Sequence, residues 1–426
     1  MLVAASRSPY VLVHGRFYAE EGSLHFAYAV AHPGWRGLFY LQTRTGYFNF
    51  ICDAATFVAS KAPLARAPLV TGWFSFAVLA AVVWIALAWP SELLPTAASR
   101  VAAAALVVVG TLAAPAVWLN SITAHAYLGI LGILMLFVDV TRLSRRSFLF
   151  GAAALAVAGV SGVYTCLLAP FYCVRAVQER SRRRITYAVV VSVAALIQFA
   201  ILLDARSSGE FASTKMRFSG LGLILRDVAG WHFGTFVFGT HVAESSVHSK
   251  VGSLGGLLAV SAFAAVILLF ILVVLATVPN VRVAGLLVGV LAIEEFLVNY
   301  GALNGAGGRY AVVPIAILTL MLIHGATTSP YPWLAGAATA LCAFVLAAGL
   351  ANFWTEKPTL LRCIDCPRWD QQVQQWQAGR TQQLTIWPYP SHWAVHLPRH
   401  TGSTSSVNPD CPAGRHAEDQ VECPLN

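Results

Sequence analysis

The stretch FLFGAAALAVAGVSGVYTCLLAPFYCVRAV (148–177) lies between two arginine-rich loops, TRLSRR (141–146) and ERSRRR (179–184). It is apolar throughout, yet longer than the ~20 residues one helix needs to cross a hydrocarbon core. Loops on the cytoplasmic side concentrate Lys and Arg, so one long crossing would strand a basic loop on the outside. Going in and coming back keeps both flanks inside. The 159–162 region, with its glycines and Ser161, supplies the turn. The segment is expected to be a helical hairpin, and that expectation sets the side of the loops around it.

Composition supports the membrane setting. The 426 residues are 57% hydrophobic and only 11% charged, against about 25% charged in a soluble domain. Apolar runs at 67–89, 101–119, 122–140, 185–203, 254–278, 281–300, 310–324 and 333–350 are expected to be helices, because backbone in lipid must satisfy its own hydrogen bonds. The net charge of +9 does not point to nucleic acid, since the arginines sit in short loops between these runs. With the hairpin, the loops sort into two sides. Inside lie 90–100, both arginine loops, 279–282 and 327–332. Outside lie the N-terminal stretch to 69, 120–125, 204–250, 301–309 and the C-terminus.

The chain divides accordingly into a first external loop with juxtamembrane helices (1–67), a transmembrane bundle (68–351), an external cap (352–400) and a disordered tail (401–426). MLVAASRSPYVLVHG is too short and interrupted to span, and a preceding helix is expected to be missing from this sequence. PRWDQQVQQWQAG (367–379) has the form of a helix burying Trp369, Val373 and Trp376, and LTIWPY and WAVHL alternate like short strands. Cys363, Cys366, Cys411 and Cys423 fall in the tail and suit disulfides in an oxidising compartment. A zinc site is the weaker alternative, because one CxxC lacks a matching pair.

Three groups of residues can carry chemistry. In RFYAEEGSLHFAYA (16–29), Glu20 and Glu21 are adjacent acids among aromatics, in a chain that otherwise avoids charge. A partly desolvated carboxylate there can serve as a general base or hold a divalent metal ion. The segment from Trp35 to Phe50 mixes aromatic rings with Arg36 and Arg44. It suits a membrane-surface stretch, or a groove in which arginine grips a lipid phosphate. Glu294 and Glu295 lie inside an apolar helix, where a central charge costs about 2.5–3.5 kcal/mol. Lying about 100° apart on a helix, they cannot both face one partner, so one is expected to face a polar cavity. Histidines in 204–250 lack metal-ligand spacing, and no Walker loop or GxSxG is present.

Taken in order, these features resemble bacterial multi-pass proteins related to GT-C-fold glycosyltransferases. The carriers are Phe17-Tyr18-Ala19-Glu20-Glu21-Gly22, then Gly46-Tyr47-Phe48-Asn49, then VWLNSITAHAYL (117–128). The 159–170 hairpin, the Arg309-Tyr310-x-x-x-Pro mouth and the CPRW…IWPYPSHWAVHL tail follow. The resemblance implies an all-α polytopic membrane protein, a GT-C-like bundle of about ten spans with a small external α/β C-terminal cap. It implies transfer of a sugar from a polyprenyl-phosphate donor to an extracytoplasmic glycan or lipid acceptor, at a bacterial inner membrane. Glu20 or Glu21 would then be the catalytic acid or base, and Arg309 with Tyr310 would contact the donor phosphate, helped by Arg217 and Arg44. Tyr47, Asn49, Trp35, Asn120 and His125 would line the acceptor and lipid groove. Two other functions fit the same composition: a transporter or flippase coupled through Glu294 or Glu295, and a non-catalytic assembly protein that binds through its tail.

Overall fold

The computed structural model describes residues 1–41, 46–109, 117–208, 224, 226–239, 254–301, 308–354, 367–387 and 393–397. Arg44, Arg217, Cys363, Cys366, Cys411 and Cys423 lie outside the described residues. Two short helices, α1 (Leu2–Arg7) and α2 (Pro9–His14), open the chain and are followed by a π-helical turn, Glu21–Phe26, that leads into α3 (Ala27–Ala31). The bundle is then built from α4 (Phe50–Lys61), α5 (Ala67–Ala88), α6 (Ala97–Val109) and α7 (Ala124–Leu136). The hairpin arms α8 (Arg145–Gly159) and α9 (Ala169–Glu179) come next, then α10 (Arg182–Ser207). A second π-helical segment, Arg226–Phe233, runs into α11 (Gly234–Phe238). Four long helices complete it: α12 (Leu254–Ala276), α13 (Val281–Gly301), α14 (Val312–Thr328) and α15 (Pro332–Phe353).

Residues 148–177 do reverse direction. Phe148 stacks on Tyr187 while a Cβ on Gly159 would touch Ala194, so α8 runs parallel to α10. In α9, Cys173 meets Ser192 of α10, so that arm runs back. The turn between the arms uses Gly162 at φ +134°, with His125 pressed against its Cα. Both basic flanks therefore meet at one end of the bundle. There Arg183 donates to the carbonyls of Val140 and Leu143, and the wholly buried Arg184 donates to those of Met135, Leu136 and Val138. A guanidinium on the last carbonyls of α7 both satisfies them and complements the negative end of the helix dipole. Arg175 adds a two-pronged pair to Glu92 at 2.9 and 3.0 Å.

Among the described residues, five helices are long and apolar enough to cross a membrane: Leu64–Ala88, Arg182–Ser207, Leu258–Ala276, Arg309–Thr328 and Pro332–Phe353. Ala97–Val109 and Ala124–Leu136 are apolar but shorter, and the hairpin arms are shorter than a full span. The outer helices turn large apolar side chains outward, such as Val193, Leu196 and Phe199 on α10 and Leu258, Val266 and Leu269 on α12. A belt of that kind is stable against lipid and not against water. The helix α14 is buried along most of its length and packs against α6, α7, α12, α13 and α15. It is the axis of the bundle, and its N-terminus opens at the end opposite the arginines.

At that opposite end the tail segment packs on the first loop. Its helix α16 (Trp369–Gln377) buries Trp369 and Val373, with Trp376 partly covered. The antiparallel strands β1 (Leu384–Thr385) and β2 (Ala394–Val395) lie beside it. Phe17, Phe26, Ala59 and Ala67 share a core with this unit, and Trp369 Nε1 donates to the Leu64 carbonyl at 2.7 Å.

Candidate active site

The loop bearing the first acids is shaped by its neighbours. Trp387 forms a bridge with Tyr18: its amide donates to the Phe17 carbonyl, and its own carbonyl accepts from Ala19. Ala19 is held at φ +46°, in the left-handed region that costs a non-glycine residue energy. Gly22 follows because a Cβ there would come within 2.8 Å of Phe17 and 2.9 Å of Ile386. Arg16 lies beside the same bridge, its guanidinium 4.7 Å from the Trp387 ring and 5.3 Å from the Tyr18 ring, and it donates to the Trp118 carbonyl. Burial pulls Arg16 down to about 10, which still leaves it charged at neutrality.

The resulting turn sends the two acids different ways. Glu21 is wholly buried. Its Oε1 accepts from the Ser121 amide at 2.7 Å and the Ser121 hydroxyl at 2.6 Å, and its Oε2 accepts from the Tyr18 amide at 2.9 Å. Burial raises its carboxyl above the ordinary value, and the hydrogen bonds from Ser121 and Tyr18 and the charge of Arg16 oppose that rise. Glu21 thus ties the first loop to the turn before α7. Glu20 is half-buried and lies within electrostatic reach of Arg309, Tyr47 and Tyr18.

Arg309 and Tyr310 stand on the 3-10 turn Gly308–Ala311, which caps the N-terminus of α14. The Arg309 guanidinium lies 5.2 Å from the Tyr310 ring and donates to its hydroxyl at 3.3 Å. The positive end of the α14 dipole adds to its charge. Tyr47 sits in the same field: burial pushes its phenol up, Tyr310 and Glu20 add to that, and Arg309 opposes it. His125 meets Tyr47 edge-on at 5.9 Å and stacks on Tyr164 at 5.5 Å. Its Nδ1 hydrogen-bonds the Ile122 carbonyl, which also accepts from Asn49 Nδ2. Asn120 is buried, with its side-chain oxygen accepting from the Thr123 amide and hydroxyl.

Tyr47 and His125, in ring contact, and the hydrogen-bonded Arg309 and Tyr310 therefore lie at the end of the bundle away from the basic flanks of the hairpin, with Glu20 within electrostatic reach of Tyr47 and Arg309. Trp35 is not among them; it is 70% exposed and touches Phe39. Glu294 and Glu295 lie deeper, on α13. Glu295 pairs with the buried His232 at 2.8 Å, while Glu294 is wholly buried. Among the described residues, no group of three or more His, Cys, Asp or Glu side chains is arranged to hold a metal ion.

Residue chemistry alone missed two features. Ser121 decides the fate of Glu21, but nothing in its sequence context separates it from other turn serines. His25, on the π-helical turn, bonds Asp53 of α4 through Nδ1 at 2.6 Å, with both side chains about 1% exposed. The Tyr40 amide takes the other Asp53 oxygen. Burial raises the Asp53 carboxyl, and His25 holds it down. A lone acid in the apolar run FICDAATFVA was the available signal.

No protein-family model matches the chain, and no curated protein does. The arabinofuranosyltransferase AftD from mycobacteria, solved by single-particle cryo-electron microscopy, is similar to it with a TM-score of 0.47 and 16% identity. The overlay covers 89% of this chain and 28% of that one, so the chain spans under a third of that protein's length.

Proposed function

We propose that the chain is a membrane glycosyltransferase that moves a sugar from a polyprenyl-phosphate donor to an extracytoplasmic glycan or lipid acceptor. The observation that carries this reading is Arg309 on the turn before the N-terminus of α14, with Glu20 within its electrostatic reach, at one end of an apolar bundle. A half-buried carboxylate near an arginine at a helix N-terminus offers a proton acceptor beside an anion site. In the reaction proposed, the acceptor hydroxyl attacks the anomeric carbon of the donor sugar. The new glycosidic C–O bond forms as the bond to the phosphate oxygen breaks. The hydroxyl proton passes to Glu20, and the departing lipid phosphate keeps the electron pair. Arg309 stabilises the charge gathering on that phosphate, with Tyr310 orienting the guanidinium. Glu21 is a positioning residue, since its oxygens are occupied by Ser121 and Tyr18.

Glu20→Gln tests the reading. Sugar transfer by the variant in proteoliposomes is expected to fall about 10²–10⁴-fold, the usual contribution of a positioned base, with the folded state unchanged. Full transfer by Glu20→Gln would remove the carboxylate from the mechanism.

A further inference from the structure

Among the described residues, Glu294 is a wholly buried acid whose two carboxyl oxygens both lack a hydrogen-bond partner. It shares the inward face of α13 with Val283, Leu287 and Val290, all fully buried. The nearby imidazole is already engaged, because His232 Nδ1 hydrogen-bonds both oxygens of Glu295 at 2.8 and 2.9 Å. An ionised carboxylate without a partner is strongly disfavoured in such a place, whereas the neutral acid carries one O–H donor and a free carbonyl acceptor.

The surroundings narrow what this acid serves. Tyr164, in the turn of the hairpin, packs against Gly129 of α7 close to Val313 on the first turn of α14, and its phenol is within electrostatic reach of Glu294, Tyr310, Tyr47 and Arg309. Its ring rests on His125. Polar groups thus continue inward from the Glu20–Arg309 mouth, through Tyr47, Tyr310 and Tyr164, to Glu294, inside a bundle whose other buried faces are largely apolar. A phosphate needs N–H donors, which Arg309 supplies at the mouth and Glu294 does not. A hydrocarbon chain would leave both carboxyl oxygens unsatisfied. A hydroxyl group, donor and acceptor at once, matches the neutral acid.

We propose that Glu294, as a neutral carboxylic acid, and the Tyr164 phenol lie inward of Glu20 and Arg309 and bind hydroxyl groups of the sugar carried by the lipid donor. This rests on the glycosyltransferase reading above and adds to it the residues that select the sugar. A site built to hydrogen-bond a hydroxyl discriminates strongly against ligands that lack it, because its polar groups are then left unpaired.

The test is binding to the full chain in nanodiscs, with two probes: polyprenyl phosphate, and the same lipid phosphate carrying a pentose or a hexose. The wild type is expected to bind a sugar-bearing probe more tightly than the bare one. Glu294→Leu should weaken sugar-bearing binding about 10–100-fold, as expected for one or two buried hydrogen bonds, and leave the bare probe unchanged. Glu294→Gln, still neutral and still donor and acceptor, should stay within about threefold of wild type. Glu294→Leu should also melt no lower than wild type, because it removes an unsatisfied buried polar group. Four results overturn the proposal: unaltered sugar-bearing binding in Glu294→Leu; equal losses in Glu294→Gln and Glu294→Leu, which would mean a charge is required; a lower melting temperature in Glu294→Leu, which would make Glu294 structural; or no gain from the sugar in the wild type. In that last case, binding of the bare probe leaves the lipid-phosphate reading standing, whereas binding of neither probe removes both.

Discussion

Glu20–Glu21 and Glu294–Glu295 are both adjacent acids in which one member is wholly buried and the other is not, yet the buried members differ. Glu21 has three hydrogen bonds from Ser121 and Tyr18, and among the described residues Glu294 has none. The partly buried members differ too: Glu295 is hydrogen-bonded by His232, whereas Glu20 lies within electrostatic reach of Arg309. The contrast shows that burial alone does not mark a functional acid. We read a buried acid with its oxygens satisfied as architecture, and propose a ligand for one with them unsatisfied. The half-buried acid next to it takes whichever role its facing charge permits.

Removing the charge that Glu20 faces should have the largest effect on this contrast. Arg309→Gln is expected to lower kcat/KM for transfer about 10²–10³-fold, the range for loss of one group that stabilises transition-state charge. Lys at the same position should recover only part of this, because it lacks the planar fork. A wild-type rate in Arg309→Gln would leave Glu20 facing a charge of no consequence to the chemistry.

Glu21→Gln should act on stability first. Its amide must point an N–H at one of the donors now bonded to Glu21, which costs about 1–3 kcal/mol. The pH dependence has a definite sign. Burial raises the Glu21 carboxyl above its ordinary 4.5, so its contribution to stability is complete below that value and is lost as pH rises through the folded-state value. Glutamine does not titrate, so the stability gap between wild type and variant should narrow over that rise. Thermal melts across a pH series in detergent measure it, and a gap that widens would mean the carboxyl is depressed in the fold.

The smallest effect is expected at Glu295. Glutamine there keeps a hydrogen bond to His232 but loses its charge assistance, for about 1 kcal/mol of stability. Transfer should stay within about twofold of wild type. Abolished transfer would place the intramembrane pair in the chemistry and erase the contrast between the two acid pairs.

Much of the bundle was legible in the chain because apolar length and loop charge act locally. The run expected at 67–89 is the helix Ala67–Ala88, and the charged flanks of 148–177 anticipated its reversal. About ten spans were expected; five described helices meet the length and polarity of a crossing, because several apolar runs form helices shorter than a bilayer. The site was less legible. Glu20 and Glu21 are chemically identical, and what separates them is Ser121, a hundred residues away in sequence, together with the Trp387 bridge that fixes the turn. His25 and Asp53 come together for the same reason: partners are set by packing between elements, and no local pattern encodes which elements meet.

The account depends most on Glu20 and Arg309 acting together in one site, and a double-mutant cycle on sugar transfer tests that directly. Glu20→Gln, Arg309→Gln and the double variant would be compared with wild type in single-turnover assays. If the two groups act as a unit, the double variant should be little slower than the slower single variant, with a coupling of at least about 1 kcal/mol. Losses that simply add would contradict the account, because they would place the carboxylate and the guanidinium in separate sites.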